Sequence, residues 1–117
     1  VKEGKNDKAV EALDFAMSKM PAEKFGYNYF LFGIIDSYYR AGATEKAREL
    51  TYKFADHLDD ELTYYQGLDR KERKNTRNDW NTNLQFYQML FRNIQIHDQQ
   101  SQQSFYQRYA AIAQSFQ

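Results

Sequence analysis

Apolar positions recur at helical spacing along most of this 117-residue chain. From Asp7 to Met20 they fall at Ala9, Val10, Leu13, Ala16, Met17 and Met20, the steps of three and four that mark one helical face. Asn6 or Asp7 supplies a capping oxygen and Pro21 forbids continuation, so the spacing predicts a helix ending near Lys19 or Met20, with a short connector over Ala22–Gly26. Tyr27, Phe30, Leu31, Ile34, Ile35 and Tyr38 define a second face, closed at Ala41–Gly42 with Gly42 where a left-handed residue is needed. Thr44 caps a third helix, with Ala47, Leu50, Phe54 and Leu58 inward and Glu45 in the first turn, where the helix dipole favours an acid.

Past Leu58 the pattern either continues through Leu62, Tyr65 and Leu68 or restarts at Asp59 or Asp60. Asp69–Asn78 carries no apolar side chain and is expected as a polar connector or an exposed helix end. Trp80, Leu84, Tyr87, Phe91 and Ile94 then form the clearest stripe of the chain, widened by Phe86 and Leu90. A second polar break over His97–Ser104 precedes a last helix built on Phe105, Tyr109, Ile112 and Phe116 and capped by Ser101 or Ser104. No segment alternates with period two, so the expectation is an all-α antiparallel array of five or six helices.

Composition sharpens this. Gly and Pro together are 6 residues and Val, Ile and Thr only 12, so turns and strand formers are scarce. Twenty aromatic residues (10 Tyr, 9 Phe and Trp80) supply the buried area that the aliphatic content lacks. The absence of cysteine excludes a disulfide scaffold and a thiol nucleophile. Sixteen basic against sixteen acidic residues argue against a general nucleic-acid binder. The longest apolar run, Phe30–Ile35, is far short of the roughly 18–20 residues of a membrane span. Val1–Lys8 shows no signal- or transit-peptide pattern, and the chain is read as part of a longer polypeptide.

Gly4–Leu13 (GKNDKAVEAL) and Gly42–Thr51 (GATEKARELT) resemble each other and start 38 residues apart, a period in the range of stacked helical hairpins. Gly4, Ala9, Leu13, Ala16 and Pro21 match the tetratricopeptide spacing, as do Leu31, Tyr38, Gly42 and Ala47. Ile34-Ile35 and Thr51 depart from it, so residues 4–58 are tetratricopeptide-like and residues 59–117 less regular, within one helical domain over 1–117. Ala9 and Ala47 are expected at close helix contacts, and the face of Ala9, Leu13 and Ala16 is expected to meet a further helix or a second copy of the chain.

The wording of "DKA", "KMP", "YYRAG", "TEKA" and "LTYYQGL", carried by Gly4–Pro21, Tyr38–Leu50 and Leu62–Leu68, is narrower. It resembles the soluble C-terminal region of large multi-pass membrane proteins, known mainly from Bacteroidota, that are related to protein O-mannosyltransferases and other lipid-linked-sugar glycosyltransferases. The resemblance spans about half of the chain. It implies a non-catalytic domain facing the periplasm, whose partner is another protein or the membrane-embedded catalytic part of the same polypeptide; without that resemblance a cytoplasmic location stays open.

Candidate chemistry is sparse. His57 and Glu61, four apart within Asp56–Glu61, could share a helical face and an ion, but a site needs three or four convergent ligands, and such acids more often cap or face water. No GxSxG elbow or glycine-rich phosphate loop is present. Arg70, Lys71, Arg73, Lys74 and Arg77 concentrate positive charge beside Tyr64, Tyr65 and Trp80, diluted by Asp69, Glu72 and Asp79. In the pairs Tyr38-Tyr39 and Tyr64-Tyr65 one ring of each is expected inward and the other at the rim. The expected interaction surface is therefore Tyr39, Tyr64, Tyr65, Arg73 and Lys74, with no catalytic residue, metal or cofactor. Three functions follow: a non-catalytic interaction or scaffold module, an independent sugar- or peptide-binding module, and a metal-dependent enzyme around His57.

Overall fold

The computed structural model describes residues 2–19 and 26–114. These form six helices and no strand: α1 (Lys2–Lys19), α2 (Tyr29–Arg40), α3 (Thr44–Gln66), α4 (Arg70–Asn75), α5 (Arg77–His97) and α6 (Gln99–Gln114). The fold is all-α. Among the described residues no helix is long and apolar enough to cross a membrane. Met20, Pro21, the connector over 22–25 and Phe116 lie outside the described residues. The chain clusters into two compact units, Val1–Lys53 and Phe54–Gln117, divided within α3 a few residues ahead of the change of regularity drawn at Leu58.

In the first unit α1 packs on α2. Asn28, in extended backbone, caps α2 by accepting from the N–H groups of Phe30 (3.0 Å) and Leu31 (3.4 Å). That cap fixes where the helix begins, and Leu31, Ile34, Ile35, Tyr38 and Tyr39 form its buried face. At about 100° per residue, this face is centred on Leu31, Ile35 and Tyr38, turning toward Tyr39 and away from Phe30. Two expectations are corrected by this one rotation: Phe30 is 61% exposed and Tyr39 is buried. The α2 terminus is as expected. Gly42 has φ +83°, its N–H donates to the Tyr39 carbonyl (3.1 Å), and the Ala43 N–H donates to that of Tyr38 (2.9 Å), the two bonds of a Schellman closure.

The two similar segments diverge in the structure. Gly42 stands in a turn, whereas Gly4 lies within α1, which begins at Lys2 instead of at Asn6 or Asp7. Ala47 is fully buried but Ala9 is exposed, so the close contact expected at Ala9 is not made. Thr51, which stands where the repeat pattern wants an aromatic ring, is buried with its hydroxyl donating to the Ala47 carbonyl at 2.7 Å. Ala47→Leu should overpack this position and lower stability by about 1–3 kcal/mol in urea unfolding followed by circular dichroism. A neutral result would show that the space around Ala47 is slack.

In the second unit α3 runs unbroken to Gln66, which settles the choice at Asp59 in favour of continuation; Phe54, Ala55, Leu58 and Leu62 are buried. The polar stretch after Leu68 is not a connector throughout. Asp69 accepts from the Glu72 N–H at 2.8 Å and caps the short α4, which buries no residue. α5 and α6 pack against each other, with Phe86, Tyr87, Leu90, Ile94 and Phe105 in the core. The expected break over His97–Ser104 shrinks to Asp98, because the Asp98 carboxylate accepts from the Ser101 hydroxyl (2.9 Å) and its carbonyl from the Ser101 N–H (3.0 Å). Asp98, not a serine, therefore caps α6.

Asn93 is buried on α5 with its side-chain N–H₂ unpaired. A buried donor without a partner loses its hydration and gains nothing in return. Asn93→Leu should be neutral or stabilise by up to about 1 kcal/mol. A loss of stability in thermal unfolding would mean that the amide makes a contact in solution.

Candidate functional site

The five residues expected on an interaction surface separate. Tyr39 is buried in the first unit and cannot serve. Tyr64 (65% exposed) and the half-buried Tyr65 sit in the last turns of α3, their rings 5.8 Å apart and edge-on. Arg73 is spent locally: its guanidinium donates to the carbonyls of Gln66 (2.5 Å) and Leu68 (2.9 Å), satisfying groups that the end of α3 leaves open. Lys74 faces solvent on α4.

The Asp56–Glu61 cluster is divided between two networks. His57 Nε2 lies 2.9 Å from Glu61 Oε1, and Glu61 Oε2 accepts from the buried Asn83 side chain at 2.7 Å, so both carboxylate oxygens are engaged. On the neighbouring side Asp59 accepts from the Tyr87 hydroxyl (2.7 Å) and from Arg108 Nε (2.9 Å) and Nη2 (2.7 Å), while Asp56 accepts from Arg108 Nη2. Among the described residues no group of three His, Cys, Asp or Glu is placed to hold a metal ion.

Electrostatics agree with a closed network. Burial works against the Arg108 charge, but the Asp56 and Asp59 carboxylates outweigh it and hold the guanidinium above its usual range. Burial, reinforced by the adjacent Asp59 carboxylate, raises the Tyr87 phenol well above its ordinary value. A group whose folded-state pKa is raised contributes stability that is complete below its unfolded value, about 10 for tyrosine, and is lost as pH rises beyond it. Stability of the second unit, read by Trp80 fluorescence, should therefore fall above about pH 10, and Tyr87→Phe should flatten that fall. An unchanged alkaline limb in Tyr87→Phe would assign the effect elsewhere.

The open chemistry lies where the sequence pattern marks only a polar break. Phe91 and Gln95 of α5 with Gln99, Gln102, Gln103 and Tyr106 of α6 line an open groove of about 510 Å³. Its aromatic floor is anchored in the core. Tyr87 meets Phe105 (5.5 Å), Phe105 stacks on Phe91 (6.4 Å, 15°), and Phe91 meets Tyr106 (5.5 Å), whose ring is 53% exposed. No side-chain amide of the four glutamines bonds to another described residue. The signal for this site is the run QQSQQS after Asp98, amide-rich and uncharged, followed at once by Phe105-Tyr106.

Compared with protein-family models, with curated proteins and with solved structures, the chain matches none.

Proposed function

We propose that this chain is a non-catalytic helical interaction module, the C-terminal soluble part of a membrane glycosyltransferase-like protein, held on the periplasmic side of the membrane. The observation that supports it best is the surface of the first unit. Phe15, Tyr29 and Phe30 are 64%, 62% and 61% exposed, and α1 has no buried side chain over residues 7–19. Large rings held in water at this density are what contact surfaces use. The motif resemblance adds the membrane context and suggests the partner: another protein, or the membrane-embedded part of the same polypeptide, meeting the open face of α1. A second copy of the chain is the other occupant of that face.

The ionisable groups support the same reading from the other side, because Asp56, Asp59, Glu61, Tyr87 and Arg108 are engaged with one another or with Asn83 and His57. Two experiments test the proposal. The reading frame that encodes this chain should also encode several apolar stretches of about 18 or more residues; a frame with none removes the membrane context. In sedimentation of the chain with its co-expressed membrane part, association should be lost in Phe15→Ser with helicity unchanged. Binding that ignores Phe15, Tyr29 and Phe30 would overturn the assigned face.

A further inference from the structure

The groove between α5 and α6 is lined by amides and aromatic rings alone. The chain is 27% charged, yet none of the six lining residues carries a charge. That excludes an anionic or cationic ligand as the preferred occupant, since nothing in the lining would offset the desolvation of an ion. What the lining offers is one exposed, core-braced aromatic ring and four uncommitted amides, each presenting both donors and an acceptor. We propose that this groove binds a neutral glycan, with one pyranose face laid on the Tyr106 ring and its hydroxyls paired to the amides of Gln95, Gln99, Gln102 and Gln103.

The fit is chemical. A sugar hydroxyl donates and accepts at once, as does a carboxamide, so amides serve vicinal hydroxyls without the cost of burying a charge. The apolar C–H face of the ring needs a flat partner that stays in place, and the Phe105–Phe91–Tyr106 succession provides one. An extended peptide is the poorer match, because strand or groove recognition of peptides draws on a sheet edge or on pockets for side chains. The groove is open, and no strand lies among the described residues. This inference goes beyond the interaction role assigned to the first unit and does not depend on it.

The test is an NMR titration of the whole chain, reading the side-chain amide signals of the four glutamines. The probes are mannotriose, maltotriose and chitotriose, with an uncharged Ala-Ser peptide as a separate arm. At least one trisaccharide should shift these amides with a Kd on the order of 1 mM, as befits a shallow site. Tyr106→Ala should weaken that binding at least about tenfold with unchanged helicity. Gln102→Ala should weaken it with the ring intact. Absence of shifts with all three sugars overturns the proposal. So does equal affinity in Tyr106→Ala, and so do shifts caused by the peptide alone. The last of these would leave the interaction reading standing.

Discussion

Phe105→Ala should lower the stability of the second unit by about 3–5 kcal/mol in urea unfolding followed by Trp80 fluorescence. Phe105 is fully buried, and its ring lies 5.5 Å from that of Tyr87 and 6.4 Å from that of Phe91. Truncation removes the transfer free energy of the ring and leaves a cavity that helical backbones close only in part. For a small domain holding roughly 5–15 kcal/mol in total, this is a large fraction of the whole. Phe105→Leu, which keeps most of the volume, should cost less than about 1.5 kcal/mol. The alanine variant should also loosen Tyr106, whose ring rests on Phe91, and so broaden the aromatic NMR signals at the groove. A loss under about 1 kcal/mol would mean that α6 is not seated on α5 as described.

The helices were legible because period 3.6 is written in side chains that have nowhere else to go. Leu31, Ile34, Ile35, Ala47, Phe54, Leu58, Leu90 and Ile94 are all expected inward and all buried. The errors come from the margins of each stripe, where pattern cannot decide. Phe30 and Tyr39 flank the same face, and packing against the rest of the unit, which the pattern does not contain, turns Tyr39 in and leaves Phe30 out. The match of Gly4 to Gly42 rests on residue identity, but a glycine takes its role from φ, and only Gly42 adopts the positive value within a turn. The Asp56–Glu61 cluster is visible as a cluster, whereas its partners Asn83, Tyr87 and Arg108 come from elements 22 to 52 residues away, a distance that pattern does not bridge. One clue to them exists in the sequence: Arg108 is the single charged residue after Asp98. An isolated guanidinium in a helix of amides and aromatics needs a carboxylate from elsewhere.

Asp59→Ala should therefore lower stability by about 2–3 kcal/mol, far more than its position on a helix surface suggests. One carboxylate joins three helices: Asp59 on α3 accepts from Tyr87 on α5 and twice from Arg108 on α6. Its removal takes away the acceptor of a fully buried tyrosine's hydroxyl, which keeps only the bond it accepts from Arg108 Nε, and leaves a guanidinium, three-quarters shielded from water, with Asp56 as its remaining carboxylate. Asp56 is 68% exposed, so Asp56→Ala should cost under about 1 kcal/mol. Asp59→Asn, which keeps an acceptor but not the charge, should fall between the two. The control is the double variant Asp59→Ala with Arg108→Met. Removing the guanidinium should recover part of the loss, because the penalty of the single variant lies mostly in a shielded charge left with the exposed Asp56 alone as its carboxylate and not in the attraction that was lost. Equal effects of Asp56→Ala and Asp59→Ala, or strict additivity in the double variant, would show that Arg108 stays hydrated and that packing alone holds α6 in place.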